Sequence, residues 1–358
     1  MSSLRILYLG AADGTCLDRA NAYRRLGHEV THWTPRLMLP ASPWIDRVIW
    51  RLGGAFVAPW VGQTLKRELL GKSFDLCHVD NGECITPALV AQLRRSCGSV
   101  INYNIDDPFG PRDRRRFSAY RAAVPHYDMV FVIRALNVAE ARQLGARRVL
   151  CVHRSADEVS HAPVAMSAAA LAAWSSDVLF LGTWMPERGP FLVELLRLGV
   201  PLTIRGARWQ RAPEWSQLAA AYKGGPLFGA DYARAVQGAR INLGLLSKGN
   251  RDLHTTRSLE IPALGALLCA ERTSEHEAMY ADGGEAVFWS TAQECAQACK
   301  TLLADEPRRA AIASAGKRRI GANRHFNEAM LQRILSEVPA ATGATPATAT
   351  AQGSVAHP

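Results

Sequence analysis

The segment 250–271, NRDLHTTRSLEIPALGALLCAE, places two acids, a histidine, two threonines and two arginines ahead of a proline and a run of small apolar residues. Pro262 has no N–H to donate and is best tolerated in a first helical turn, so a helix is expected to start near Ser258, with Glu260 in that turn. A carboxylate there can accept bonds from two vicinal hydroxyls, while unpaired backbone N–H groups and Arg257 face an anion. Asp252 lies eight residues earlier and supplies a second acid. His254, Thr255 and Ser258 complete a candidate set able to hold a diol and a phosphate.

Other loops offer matching chemistry. GTWMPERG sets Arg188 at the start of a predicted helix, where the dipole already favours an anion; a solvated first-turn charge is the plainer reading. GAADGTC brings Gly10, Gly14 and Thr15 to a strand-to-helix turn through which backbone N–H groups can approach a phosphate. It is not GxGxxG, so a dinucleotide site is not indicated, and a simple tight turn is the alternative. CHVDNGE and YNIDDPF offer His78, Asp80, Glu83, Asp106 and Asp107, of which His78 or Asp107 can position or deprotonate a hydroxyl. Asp107 precedes Pro108 and can equally shape a turn. Trp209 and Phe228 are the candidates for stacking on a base. No DxD triplet follows a strand, so no metal is expected and protein cations, Lys248 among them, must meet a diphosphate.

Positioning these residues takes strands and helices in alternation. RILYLG, HEVTHWT, FDLCHV, GSVINYN, YDMVFVI and RRVLCV are short apolar runs separated by helix-length segments. After an Ala/Ser-rich connection, DVLFLG, VPLTIRG, ARINLGLL, GALLCAE and EAVFWS repeat the pattern. This predicts an α/β chain of two doubly wound domains facing a cleft, with ligands beyond the carboxyl ends of the strands. The expected division is an N-terminal unit over 1–160, a linker over 161–176, a second unit over 177–320, a closing C-terminal helix over 321–338 and a disordered tail over 339–358.

Composition agrees with a globular, anion-binding protein. The chain has 358 residues, 48% of them apolar, and 42 basic against 32 acidic residues give a formal charge of +10. Two cores and an anionic ligand or surface fit those values, and nothing in them requires nucleic acid. Eight cysteines without a CxxC pair read as reduced and structural rather than zinc-binding. The first apolar run is too short for a signal peptide, so a cytoplasmic protein is expected. In SPWIDRVIWRLGGAFVAPWVGQTLKREL, Trp44, Trp50 and Trp60 interleave with Arg47, Arg51, Lys66 and Arg67. Either these tryptophans are core residues or the segment lies at the inner face of an anionic membrane, helped by Arg112, Arg114, Arg115 and Arg116.

DVLFLGTWMPERGPFLVELLRLGVPLTIRGARW, YARAVQGARINLGLLSKGN and RSLEIPALGALLCAERTSEHEAMYADGGEAVFW together resemble family 4 and related GT-B glycosyltransferases, most of all the CgeB-like (spore maturation protein-like) branch. RLGHEV and YNIDDPF extend a looser resemblance into the first half. By that resemblance Asp252 and Glu260 stand where the family has two glutamates, the first near the donor sugar and the second on the ribose. Arg188 stands at the phosphate lysine, while Thr183 replaces an arginine, so Lys248 or Arg257 must supply the missing charge. The resemblance implies sugar transfer from a nucleoside diphosphate, with no separate cofactor, to a hydroxyl on a glycan, lipid-linked glycan or protein. It also implies retention, with the departing phosphate accepting the acceptor's proton. A nucleotide-sugar epimerase and a non-catalytic nucleotide-sugar binder are the alternatives, the latter because of Thr183 and Asp252.

Overall fold

The computed structural model describes residues 2–338. The first unit contains β1 (Arg5–Leu9), β2 (Glu29–Trp33), β3 (Phe74–Asp80), β4 (Cys97–Asn104), β5 (Met129–Val132) and β6 (Val149–Cys151). The second contains β7 (Ser176–Leu181), β8 (Leu202–Arg205), β9 (Tyr222–Gly224), β10 (Ala239–Gly244), β11 (Leu268–Glu271) and β12 (Val287–Trp289). Each unit forms one six-stranded sheet, in the orders β2-β1-β3-β4-β5-β6 and β12-β11-β10-β7-β8-β9. Every named strand pairing is parallel. Central strands such as β4 are buried almost throughout, because crossover helices cover both faces of a parallel sheet.

Strand order reverses between β1 and β3 in the first sheet and between β7 and β10 in the second. At such points neighbouring connections leave toward opposite faces and open a crevice beyond the carboxyl ends. All the apolar runs singled out in the sequence are strands. The strand they do not reveal is β9, three residues reading YKG at the sheet edge.

The C-terminal end departs from expectation. Helix Asn327–Glu337 does not close the second unit; it packs along helix Gly14–Arg25 of the first. Met330, Leu331 and Ile334 share one buried cluster with Ile6, Tyr8 and Tyr23. Main-chain bonds hold the crossing, Ala156 N–H to His325 O at 3.0 Å and Asn327 N–H to Ala156 O at 2.9 Å. Arg25 adds contacts to Asp157, Glu158 and Glu328 at 2.6–2.8 Å. The expected tail over 339–358 lies outside the described residues.

The eight cysteines are free thiols. Cys269, Cys295 and Cys299 have sulfurs within 4.8 Å of one another, in the core of the second unit, where thiols pack as small apolar groups.

Candidate active site

Helix Arg257–Ala263 starts one residue before the expected place, and Pro262 therefore sits in its second turn. The proline withholds the N–H that Ser258 C=O would accept, and the Tyr280 hydroxyl supplies that bond at 2.8 Å. Glu260 remains in the first turn, as the sequence predicts, and is buried.

Both Glu260 carboxylate oxygens have partners. One oxygen accepts from Tyr232 Oη at 2.7 Å and from Arg257 Nη1; the other lies 3.4 Å from His161 Nε2. Burial pushes the carboxyl pKa up, but Arg257, His161 and Tyr232 outweigh it and leave it lowered. The guanidinium of Arg257 stacks over the Tyr232 ring and donates to Leu181 O, at the end of β7. It thus stands at the second sheet's reversal point, a third exposed, where an anion can reach it. Ser258 is buried against His276 Nε2 at 2.7 Å.

Asp252 lies beyond the carboxyl end of β10 between two buried arginines of the other unit. Arg134, after β5, and Arg154, after β6, both donate to its Oδ1, the latter at 2.9 Å. A reciprocal contact sends Arg251 across to Asp107, after β4, at 2.5 and 2.7 Å, and to Glu140 at 2.8 Å. Burial pushes the Asp107 pKa up, but Arg251, Arg134 and Asn137 overcome it and hold it low. Asp107 Oδ1 also accepts from Gly110 N–H at 3.1 Å, so the expected turn after Asp107 is formed. His254 is buried between Glu275 and Arg154, with Nε2 accepting the Arg154 N–H at 3.2 Å, and burial pushes its pKa down. The Thr255 hydroxyl is buried and has no partner among the described residues.

Arg188 is buried, and none of its hydrogen bonds goes to a carboxylate. It donates to the carbonyls of Thr183, after β7, at 2.9 Å, and of Leu245 and Leu246, after β10, both at 3.1 Å. The side chain therefore ties together the two loops of the reversal point, and burial lowers its pKa. A 110 Å³ cavity beside it is lined also by Lys248, Glu187 and Glu271. Lys248 is largely exposed, 3.4 Å from Glu271.

At the reversal point of the first sheet Asp80 is buried with Tyr8 and Arg19, whose Nη2 lies 2.6 Å away. Gly14 opens helix Gly14–Arg25 with φ +53°, and Thr15 follows it half-buried. His78 is a correction. β3 runs on through Asp80, so His78 lies inside the sheet, fully buried, with Nδ1 2.9 Å from Tyr23 Oη, and faces no cleft. Burial pushes its pKa down to about 4. Trp209 is a second correction: it is fully buried, its Nε1 donates to Gly182 O at 2.9 Å, and neither ring face is open to a base. Phe228 is exposed at the head of helix Gly229–Gly238. Trp44, Trp50 and Trp60 are not core residues, being 70%, 51% and 57% exposed.

Comparison with solved structures places the architecture. Sucrose-phosphate synthase from Thermosynechococcus elongatus is 14% identical with a TM-score of 0.68, covering 93% of this chain and 97% of that one. The fold is GT-B. Anabaena HepE, solved with UDP-glucose, is a GT-B neighbour at 14% identity and TM-score 0.60, covering 93% and 98%. A Listeria monocytogenes protein described as a UDP-N-acetylglucosamine 2-epimerase is similar at 11% identity and TM-score 0.56, covering 94% and 95%. Residues 188–336 match the family model described as glycosyl transferase-like. No curated protein sequence matches significantly.

Several residues of this GT-B site escape the sequence reading. Arg134 and Arg154 each follow a strand, in VIRAL and CVHRS, so the rule that loops after strands carry function points to them. His161 lies in the Ala/Ser-rich connection and Tyr232 on a helix, with no local signal linking either to Glu260.

Proposed function

We propose that this GT-B chain is a glycosyltransferase that moves a sugar from a nucleoside-diphosphate sugar to a hydroxyl acceptor, with retention and without a metal. The observation that carries this reading is Glu260 with Arg257 in one helical turn at the β7/β10 reversal point, inside the segment that matches the glycosyl transferase-like model. A ribose diol takes the Glu260 carboxylate, and the diphosphate takes the cations Arg257, Arg188 and Lys248. Asp252 serves the donor sugar and Asp107 faces the acceptor side. In the reaction the bond from the anomeric carbon to phosphate oxygen breaks, the acceptor oxygen bonds to that carbon, and its proton passes to the leaving phosphate.

Arg257 and Lys248 are already paired with Glu260 and Glu271 while Arg188 is held by carbonyls alone, so donor binding at Arg257 is an exchange of ion pairs in which the phosphates replace Glu260. Such an exchange favours a charged leaving group, whose charge grows in the transition state. HepE bound to UDP-glucose supports a uridine donor as the first to test. Kinship with the CgeB-like branch is supported by the long segments quoted from the second half. The reading extends to a cytoplasmic protein peripheral to the membrane. Among the described residues no helix is long and apolar enough to cross a bilayer, and the three tryptophans are exposed.

The test incubates the protein with UDP-glucose, with and without hydroxyl acceptors, in EDTA, and resolves the products. Transfer with the α configuration retained is the expected result. Isomerised donor without acceptor would make it an epimerase, and unchanged donor with tight UDP binding would make it a binder.

A further inference from the structure

Seven of the twelve large apolar side chains exposed among the described residues fall within 37–70. Leu37, Trp44, Trp50, Leu52, Phe56 and Trp60 belong to the helix Pro43–Leu52 and the segments beside it. Exposed large apolar side chains gathered in one stretch are uncommon on soluble surfaces and mark interaction sites. Basic residues interleave with it: Arg36, Arg47, Arg51, Lys66, Arg67 and Lys72 against Asp46 and Glu68. Arg47 lies over the Trp44 ring at 4.9 Å, an arrangement of aromatic body and cationic rim that suits an interface between hydrocarbon and anionic headgroups.

Trp50 stands between two cavities. On one side a 310 Å³ pocket at the carboxyl ends of β1 and β3 is lined by Leu9, Ile49, Trp50, Val79 and Ile85, with Arg36, Asp46, Asp80 and Glu83 also on its wall. On the other side a 460 Å³ pocket is lined by Arg51, Arg112, Arg114, Arg115 and Arg116, with Asp113 as its one acid. Asp113 is taken by Arg112 at 2.6 Å, and Arg116 is taken by Glu83 and Asp106. Among the described residues no carboxylate lies within salt-bridge distance of Arg51, Arg114 or Arg115.

The arrangement is held in place. Gly53, at φ +88°, ends the helix where a Cβ would lie 2.7 Å from Arg115 O, and a Cβ on Gly54 would lie 2.6 Å from Glu83 O. The tryptophan helix is thereby pressed between the arginine loop and the loop after β3. Arg112 Nη1 also reaches Ser247 Oγ, in the loop after β10, at 3.2 Å, so the cationic pocket adjoins the proposed donor loop.

We propose that the acceptor is a phosphate-bearing amphiphile carried in an anionic membrane. The tryptophan helix seats on the bilayer, the phosphate enters the pocket of Arg51, Arg114 and Arg115, and the hydroxyl-bearing end occupies the pocket beside Trp50. This rests on the glycosyltransferase reading above, and deepens it by naming the acceptor class.

The experiment uses the full chain with vesicles of phosphatidylcholine alone or with 30% phosphatidylglycerol, at low and high salt. Beside it, UDP-induced thermal stabilisation reports the donor site, and UDP-glucose transfer is compared for a vesicle-borne lipid phosphate and a soluble sugar phosphate. Binding at least about tenfold stronger to anionic vesicles, weakened by salt, is expected. Trp44→Ser/Trp60→Ser and Arg114→Gln/Arg115→Gln should each lower vesicle binding and lipid-phosphate transfer about tenfold while UDP stabilisation is kept. Negligible or equal binding to both vesicles overturns the proposal, as does a soluble phosphate acceptor used as well as the lipid one. So does a tryptophan variant that loses self-association instead of membrane binding. Failure of UDP to stabilise the wild type, with vesicle binding intact, would strike the donor reading and leave the membrane seat standing.

Discussion

Replacing Asp252 with alanine separates a residue that serves the donor from one that joins the two units. Its side chain is 4% exposed and its two arginines 3% and 6%. Removing one partner of a buried ion pair typically costs about 3–5 kcal/mol, because the other charge is left buried and uncompensated. Here two guanidinium groups are left, but each keeps a carbonyl: Arg134 holds Asp106 O at 2.8 Å and Arg154 holds His254 O. Those bonds place the expected loss near the lower end, roughly 3 kcal/mol. Urea unfolding gives the loss for Asp252→Ala, and the triple variant with Arg134→Met and Arg154→Met should recover most of it, since neither guanidinium is then left buried without its carboxylate. A loss under about 0.5 kcal/mol, within the usual range of an unremarkable surface change, would refute the clamp. Turnover abolished at unchanged stability would instead put Asp252 on the donor sugar alone.

Glu260→Ala should weaken UDP binding about tenfold to a hundredfold, from the loss of roughly 1.5–3 kcal/mol of hydrogen bonds to the ribose; calorimetric affinity equal to wild type removes that role. Arg188→Ala should lower kcat more than it raises KM, because leaving-group charge is greatest in the transition state, and Thr183→Arg should raise activity by restoring a cation. Steady-state kinetics with the identified donor decide both, an unchanged kcat in Arg188→Ala counting against the phosphate role. Acid should destabilise the fold between pH 6.5 and about 4, because burial holds His78 and His325 near 4 and the unfolded chain takes up the protons first. That stability is whole above 6.5 and lost as the pH falls through 4, about 3 kcal/mol for the fully buried His78 and less for His325, which solvent partly screens. Urea midpoints against pH should be flatter for His78→Gln, and parallel curves would sink the assignment.

The strands were legible because each fully covered parallel strand has to be an apolar run, and β9 was hidden because three edge residues need no such run. Glu260 was legible because proline limits where a helix can begin, even though the Tyr280 hydroxyl lets this helix begin one residue earlier than expected. His78 misled because CHVD ends in polar residues while the sheet continues beneath them, and aromatic neighbours accept a neutral imidazole. The partners of Asp252 were invisible as partners, since Arg134 and Arg154 lie about a hundred residues away and a sequence records neither the approach nor its geometry. Likewise, NEAMLQRIL shows one apolar face without showing which unit it covers.

That last helix ties the beginning of synthesis to its end. Met330, Leu331 and Ile334 complete a core that Ile6 and Tyr8 begin, so the first sheet leaves the ribosome with one flank bare. At roughly 5–20 residues per second, the wait from β6 to Asn327–Glu337 lasts on the order of ten to thirty-five seconds. Through that interval the nascent first unit shows apolar surface to whatever chaperone waits at the exit. A nonsense change anywhere in the second unit would therefore spoil both halves rather than spare the first.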